Sequence, residues 1–501
     1  MELPKKYSNS KKMECHLNLD HLGGSYPYYN VSEMKSNLQM EIYHTITSLP
    51  IEERKLDKVA IVEMVSKGYL LGDRTLIEGL NRVPWMGKAY SNEGWSYFDI
   101  PKHGKLKLDS DSIVLKLKTE LKKEAINYLK GKRVAGILLS GGLDSRIVAG
   151  ILRELQLDKI FNGDVVALTW GLRGTRDVVY AKEIAKRYKW EWEHIEIGPE
   201  TVLKNIYITG KYGAEFSPVH LHALDYIKNM KGIDVILAGS YGDSVGRAEF
   251  SGKHVLNLKS TIPRELNKYG LLKDAVLKEC NSSVLEDALG YRRKIKREKE
   301  YQYLEIEQQM HYMRRMLQSC MNYITQSIPM YQLFTSPGTF GLMWSLDPKW
   351  RDNRYYQILL RTLPGNVHDI PWSRTGKKLG EIDSLPDSLS KSHHQYGLWL
   401  RRELKDEILN LVYSDAIMGL GIFNEKVMEY LLKVWPKSNT TSINSIDSTI
   451  SWLASLSVFI KSYNLVNSPL ELKNNWKDGI NTLYGRTNIW LYQTIRSKIR
   501  S

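Results

Sequence analysis

The residues best equipped for chemistry occupy positions 139–145, Leu139-Ser140-Gly141-Gly142-Leu143-Asp144-Ser145, between an apolar run and a helix-forming stretch. Gly141 and Gly142 carry no Cβ, so the backbone can turn sharply there and let its amide N–H groups approach an anion. Ser140 and Ser145 add hydroxyl donors. A helix starting just beyond points its positive end at the same place, worth about 0.3–1 kcal/mol per charge at an exposed site. Together these groups suit a pyrophosphate. Asp144 is the odd member, because a carboxylate among phosphate-binding groups repels the ligand unless a divalent cation or a substrate donor stands between them. Its presence predicts Mg²⁺ accompanying a nucleotide. Two glycines alone would read as a tight turn, and it is the full hexapeptide that points to an anion. The spacing differs from the Gly-x-x-x-x-Gly-Lys-Ser/Thr loop of nucleotide triphosphatases, so kinase or motor chemistry has no support.

Such a loop needs a strand before it and a helix behind it. The run 134–139 is short, apolar and unbroken, as a strand buried on both faces of a parallel sheet should be. Around it the pattern predicts helices at 113–129, 146–155 and 177–188, and further strands at 165–169, 193–197 and 235–238. Strands separated by helices of this length imply right-handed crossovers and an α/β fold with a doubly wound parallel sheet. From about residue 255 helical periodicity dominates. The first hundred residues read as a small degenerate domain of short strands and turns. The expected organisation is therefore an N-terminal region at 1–110 and a main unit at 111–501, with a sheet core at 130–250 and a helical part at 251–501. Residues 437–448, rich in Ser, Thr and Asn, read as a mobile loop.

Composition narrows the class. With 501 residues, 42% hydrophobic and 25% charged, the chain has the balance of an ordinary globular protein. Its three cysteines, Cys15, Cys280 and Cys320, form no Cys-x-x-Cys pair, so neither a disulfide scaffold nor a zinc site is expected and the cytoplasm is the natural compartment. No stretch approaches 18–20 uninterrupted apolar residues, and no membrane partner is expected. The net charge of +15 raises nucleic acid as a partner, most strongly at 292–299, but this run leads into a polar helix with Glu305 and Glu307 and reads as a solvated helix face.

Ligands of doubly wound sheets bind beyond the carboxyl ends of the strands. After the second strand comes Trp170-Gly171-Leu172-Arg173-Gly174-Thr175-Arg176-Asp177, where Trp170 can flank an adenine ring and Asp177 reads as the cap of the next helix. After the fourth comes a second glycine-rich turn, Gly239-Ser240-Tyr241-Gly242-Asp243-Ser244, whose acid Asp243 taken alone is ordinary turn chemistry. In order and spacing the set resembles the PP-loop ATP pyrophosphatases, and within them the synthetase domain of the asparagine synthetase family. The loop 140–145 matches the PP-loop; Gly171, Leu172, Gly174 and Asp177 match the next motif; His194 matches a histidine of the third strand. The stretch 238–244 matches the family's Ser-Gly-Glu-Gly-Ala-Asp-Glu turn. Gly68-Tyr69-Leu70-Leu71-Gly72-Asp73-Arg74-Thr75 looks like the end of the family's glutaminase domain, and 329–351 and 371–376 resemble its helical half.

The resemblance implies an ATP-dependent, AMP-forming carbon–nitrogen ligase with ATP and Mg²⁺ as cofactors. Leu139, Ser140, Gly141, Gly142, Leu143, Asp144, Ser145, Trp170 and Gly239 would bind the nucleotide, Asp144 and Asp243 the metal, and Arg374 and Lys377 would act on the α-phosphate, with Arg314 and Arg315 as further candidates. The substrate would be a small-molecule or peptide carboxylate. The family's glutaminase relies on a cysteine exposed by methionine removal; position 2 is Glu2, so glutamine hydrolysis is not expected and a separate ammonia-supplying partner is. Ser240 and Ser244 stand where the family has glutamates, which puts aspartate as acceptor in question. An intramolecular cyclase of the β-lactam synthetase or lasso-peptide type is the alternative; an RNA-modifying or non-catalytic nucleotide-binding PP-loop protein is another, supported by charge alone.

Overall fold

The computed structural model describes residues 15–16, 27–31, 38–91, 94–260, 266–381, 383, 385–466 and 476–500; Glu2 lies outside them. Five strands form the central sheet: β1 (Val134–Leu138), β2 (Asp164–Trp170), β3 (Glu191–Ile195), β4 (Val235–Ala238) and β5 (Met330–Gln332). Their order is β5-β4-β1-β2-β3, and every pairing is parallel. Successive strands step outward from β1 to β3, then the chain returns to the other side of β1 for β4. The sheet is therefore doubly wound, and its switch point lies between β1 and β4, where such folds hold ligands.

The strand sequences show why the sheet is covered on both sides. Ala135, Ile137, Val165, Ala167, Val235 and Leu237 join one apolar core, with side chains from α1 (Ser110–Leu129), α2 (Leu143–Leu157) and α3 (Arg176–Tyr188). Their neighbours Leu138, Val166, Leu168, Ile236 and Ala238 join the other, with α4 (Pro199–Lys211) and α5 (Ser445–Tyr463). Period-two alternation with apolar residues at both phases buries both faces. Residues such as Ile42, Ile61 and Met64, from the N-terminal stretch, enter the second core. There Arg82 pairs with Glu215 at 2.7 Å, both side chains almost fully buried.

Four sequence expectations shift. Helix α2 begins at Leu143, with Gly142 as its N-cap, so Leu143, Asp144 and Ser145 form its first turn rather than preceding it. The fifth strand falls in a stretch read as helical; at three residues it is too short for a periodic signal, and it is fixed by pairing with β4. The stretch 437–448 is not a free loop: Arg401 donates to the Ser438 and Thr440 carbonyls, and α5 starts at Ser445. The basic run gives only a short helix, Tyr291–Lys294, with Arg292 paired to Glu300 and Glu307. Among the described residues no helix is long and apolar enough to cross a membrane.

Candidate functional site

A cavity of about 350 Å³ opens at the switch point, lined by Ser140, Gly142, Asp144 and Ser145 on one side, Gly239, Ser240 and Asp243 on another, and Thr169, Trp170, Asp177, His222 and His393 on the third. The loop that forms its floor is held by its own hydroxyls. Ser145 Oγ accepts from the Ser140 N–H (3.2 Å), and Ser140 Oγ accepts from the Gly142 N–H (3.1 Å). Leu143, Asp144 and Ser145 open α2, so their N–H groups have no acceptor within the helix. Amides free of intrahelical bonds at a helix start are suited to an anion.

Asp177 is placed differently from the sequence expectation. Thr175, not Asp177, is the N-cap of α3. Asp177 sits in the first turn and its Oδ1 accepts from the Gly141 N–H at 3.1 Å, while Oδ2 lies 3.8 Å from His393 Nδ1. A helix-cap preference and a reach across to the neighbouring loop need the same short carboxylate, and only the tertiary approach of α3 to the Gly141 loop distinguishes them.

Of the three carboxylates that line the cavity, Asp144 and Asp243 act on each other. Burial, reinforced by the negative charge of Asp144, pushes Asp243 up to about 7, far above an ordinary aspartate. Asp144 Oδ2 accepts from Arg247 Nη2 at 3.1 Å, whereas Oδ1 is buried without a hydrogen-bond partner. The second glycine turn fits closely over this acid. A Cβ on Gly242 would stand 2.5 Å from Asp144 Oδ1, and one on Gly239 would stand 2.8 Å from the Asp144 carbonyl oxygen. Oxygen ligands, one of them an orphaned buried atom, with an acid pair that resists full ionisation, fit a hard divalent cation that keeps water and phosphate as its remaining ligands. Among the described residues no group of three or more such side chains stands together, and Mg²⁺ held with a nucleotide needs only one or two carboxylates.

A third side is closed by a segment from far along the chain. Arg146, wholly buried on α2, donates to the carbonyls of Val367, Ile370, Pro371 and Gly141. Burial lowers its pKa to about 10, so it stays charged at neutral pH. Ser373 N–H then reaches the Gly141 carbonyl at 3.1 Å, and Asp387 accepts from Arg176 (2.9 Å) and from Tyr180. Residues 367–381 and 385–394 form a strap thereby pinned to the Gly141 loop, α2 and α3. It brings His393 to the cavity, where Trp170 also stacks on His222 with ring centres 5.7 Å apart. Burial holds both imidazoles below their usual pKa, His222 well below, so the two rings are neutral at neutral pH.

Of the sequence candidates, the structure brings Leu139, Ser140, Gly142, Asp144, Ser145, Trp170, Gly239 and Asp243 into the cavity wall. Leu143 instead packs into the core, and Gly141 supports the loop from behind, where a Cβ would meet Tyr180 and Ser373. Arg374 and Lys377 ride on the strap outside the lining, Arg374 pairing with Glu249. Arg314 and Arg315 lie elsewhere: both are buried, bound to Asp73 (2.8 Å) and Glu215 (3.0 Å), and serve the N-terminal contact. His194 stacks on Trp192 and contacts the Gly171 carbonyl at 2.9 Å, away from the cavity lining. Sequence reasoning missed Arg146, His222, Arg247 and His393. An arginine inside the apolar helix that follows the loop was a usable signal for Arg146, and Arg247 directly follows the second glycine turn; the histidines carry no local pattern.

A strand, a Ser-Gly-Gly-Leu-Asp-Ser loop and a helix at the switch point of a parallel sheet make this an α/β protein with a PP-loop-like site. Residues 116–330 match the family described as Asparagine synthase, a stretch that runs from within α1 to the start of β5. No curated protein matches the chain. Among solved structures, the U34-tRNA thiolase NcsA from Methanococcus maripaludis, with its [4Fe-4S] cluster, is similar at 19% identity over 28% of this chain and 48% of its own, with a TM-score of 0.21. The chain thus spans about half the length of that thiolase. NMN synthetase from Francisella tularensis is similar at 16% identity over 36% of this chain and 71% of its own, with a TM-score of 0.20.

Proposed function

We propose that this chain is an ATP-dependent, AMP-forming ligase that adenylates a carboxylate and passes the acyl group to ammonia or an amine. What supports the reading is one arrangement: a loop of helix-start amides and serine hydroxyls that carries Asp144, with Asp243 on the neighbouring glycine turn, around a cavity at the sheet's switch point within the stretch that matches the Asparagine synthase family. The substrate carboxylate attacks the α-phosphorus, the bond to the β-phosphate oxygen breaks, and pyrophosphate leaves. The amine nitrogen then bonds to the acyl carbon and AMP departs, the nitrogen's proton going to solvent. Chemistry of this kind depends on positioning and charge neutralisation, not on a protein nucleophile.

Each residue has a part. The N–H groups of Leu143, Asp144 and Ser145, with the hydroxyls of Ser140 and Ser145, hold the departing pyrophosphate. Gly141 N–H, now given to Asp177, and Gly142 N–H, now given to Ser140, become available when the phosphates arrive. Trp170 flanks the adenine beside Leu139 and Gly239, with His222 stacked behind it. Asp144 and Asp243 hold Mg²⁺, which when bound neutralises phosphate charge. Arg374 and Lys377, on the strap that touches Gly141 through Ser373, supply positive charge to the α-phosphate once Arg374 leaves Glu249. Among the described residues no lysine or arginine lines the cavity, and Ser240 and Ser244 stand where the family has glutamates, which favours an acid other than aspartate. A separate ammonia supplier and a cytoplasmic setting complete the proposal.

The test is pyrophosphate release by the purified protein across a panel of carboxylic acids, with and without ammonia or simple amines. Release that depends on both ATP and one acid is the expected result. Failure of every acid, together with no binding of ATP in equilibrium dialysis, overturns the proposal.

A further inference from the structure

Arg247 bonds directly to Asp144, and its side chain is almost wholly buried. Its Nη2 donates to Asp144 Oδ2 at 3.1 Å, and its Nη1 donates to Glu249 Oε2 and Asn353 Oδ1, each at 3.0 Å. The guanidinium carbon also lies 5.4 Å from the Tyr356 ring centre and 5.8 Å from that of Trp372. A planar fork anchored on so many sides has little freedom left, so the one carboxylate oxygen it holds is fixed as well. The turn that carries it is equally constrained: Gly242–Gly246 is a π-helical turn, with the Gly242 carbonyl accepting from Tyr356 at 2.7 Å. Arg351 donates to the carbonyls of Ser244 and Val245 from behind.

We infer that Arg247 is a positioning residue for the cation site, setting the orientation of Asp144 so that a divalent metal finds that carboxylate in place. The inference rests on the proposed Mg²⁺–nucleotide reading of the cavity. Charge by itself argues the other way, since a cation beside Asp144 repels a metal. The two effects therefore predict opposite signs on removal. Loss of a partner that orients a metal ligand typically weakens metal binding about 10–100-fold, whereas loss of a neighbouring positive charge tightens it.

The experiment titrates Mn²⁺, followed by electron paramagnetic resonance, into the full-length protein with an ATP analogue that cannot be cleaved between the α and β phosphates. Wild type, Arg247→Met, Arg247→Lys and Asp144→Asn are compared, with folding checked by circular dichroism. Weakening of Mn²⁺ binding by about tenfold or more in Arg247→Met is expected, with a smaller loss in Arg247→Lys, which keeps the charge and loses the fork. Unchanged or tighter binding in Arg247→Met overturns the positioning role while leaving the metal site standing. Should Arg247→Met fail to fold, Arg247→Lys decides: weaker binding supports the role and wild-type binding removes it. No Mn²⁺ bound by the wild type with the analogue overturns the inference and the metal part of the proposed function together.

Discussion

A buried aspartate and a half-buried one, both paired to arginine, do different work in this molecule. Asp447, in the first turn of α5, has every oxygen occupied: Arg401 Nη1 donates to Oδ1 at 2.5 Å and Oδ2 at 2.6 Å, Trp435 Nε1 to Oδ1 at 2.8 Å, and the Asn444 N–H to Oδ2 at 2.8 Å. Asp144, in the first turn of α2, has one oxygen on Arg247 and the other without a partner, with a second acid, Asp243, close enough for each to feel the other's charge. A saturated carboxylate ties the 438–447 segment to the helix Tyr396–Arg401. An unsaturated one beside a like charge costs stability and persists where a ligand completes it.

The sharpest way to break this contrast is to truncate each acid. Asp447→Ala strands Arg401 in the interior and is expected to cost about 3–5 kcal/mol of stability in urea unfolding, with pyrophosphate release per folded molecule retained. Asp144→Ala is expected to do the reverse: release falls by about a thousandfold or more, the scale of several kcal/mol of lost charge stabilisation, while the unfolding midpoint hardly moves. Equal losses of stability in both would erase the distinction.

Gly242→Ala probes how closely the second turn is fitted to the acid, because the new Cβ would stand 2.5 Å from Asp144 Oδ1. The strain is expected to cost about 1–3 kcal/mol of stability and to weaken nucleotide-dependent Mn²⁺ binding in the same titration. The raised pKa of Asp243 gives a pH signature. Between its unfolded value near 3.8 and its folded value of about 7, the native state holds a proton that the unfolded chain has lost. Stability in the absence of metal therefore falls as pH rises through that window. Mg²⁺ with the ATP analogue must displace this proton at pH 6 and not at pH 8, so the thermal shift it produces is expected to be larger at pH 8. The difference should vanish in Asp243→Asn. Smallest of all, Arg374→Gln is expected to lower kcat about tenfold with little change in stability, since Arg374 is more than a third exposed and pairs only with Glu249 among the ion pairs described.

The loop was legible because its signal is local. An apolar strand, two glycines, two serines and an acid within a short span leave few alternatives, and the parallel sheet followed from the alternation of strand and helix around it. Asp177 was less legible: the same residue serves as a helix cap or as an acceptor for a neighbouring loop, and here it does the second. Arg314 and Arg315 stood as candidates for the α-phosphate through the family resemblance, yet both are committed to acidic acceptors, Asp73 and Glu215. The strand Met330–Gln332 and the histidines of the cavity wall had no periodicity to betray them.

By itself the order of residues determined the backbone bend, the helix start aimed at an anion, and the acid set among those donors, since each depends on torsional freedom and dipoles within a few positions. Tertiary structure alone decided which distant groups complete the site. Asp177 comes to Gly141 from 36 positions away, Arg247 to Asp144 from 103, and Pro371 to Arg146 from 225. Contacts of that range are set by which strand lies beside which and by how helices cover the sheet. Burial then fixes their charge, because removal from water decides whether an acid keeps its proton or an imidazole stays neutral.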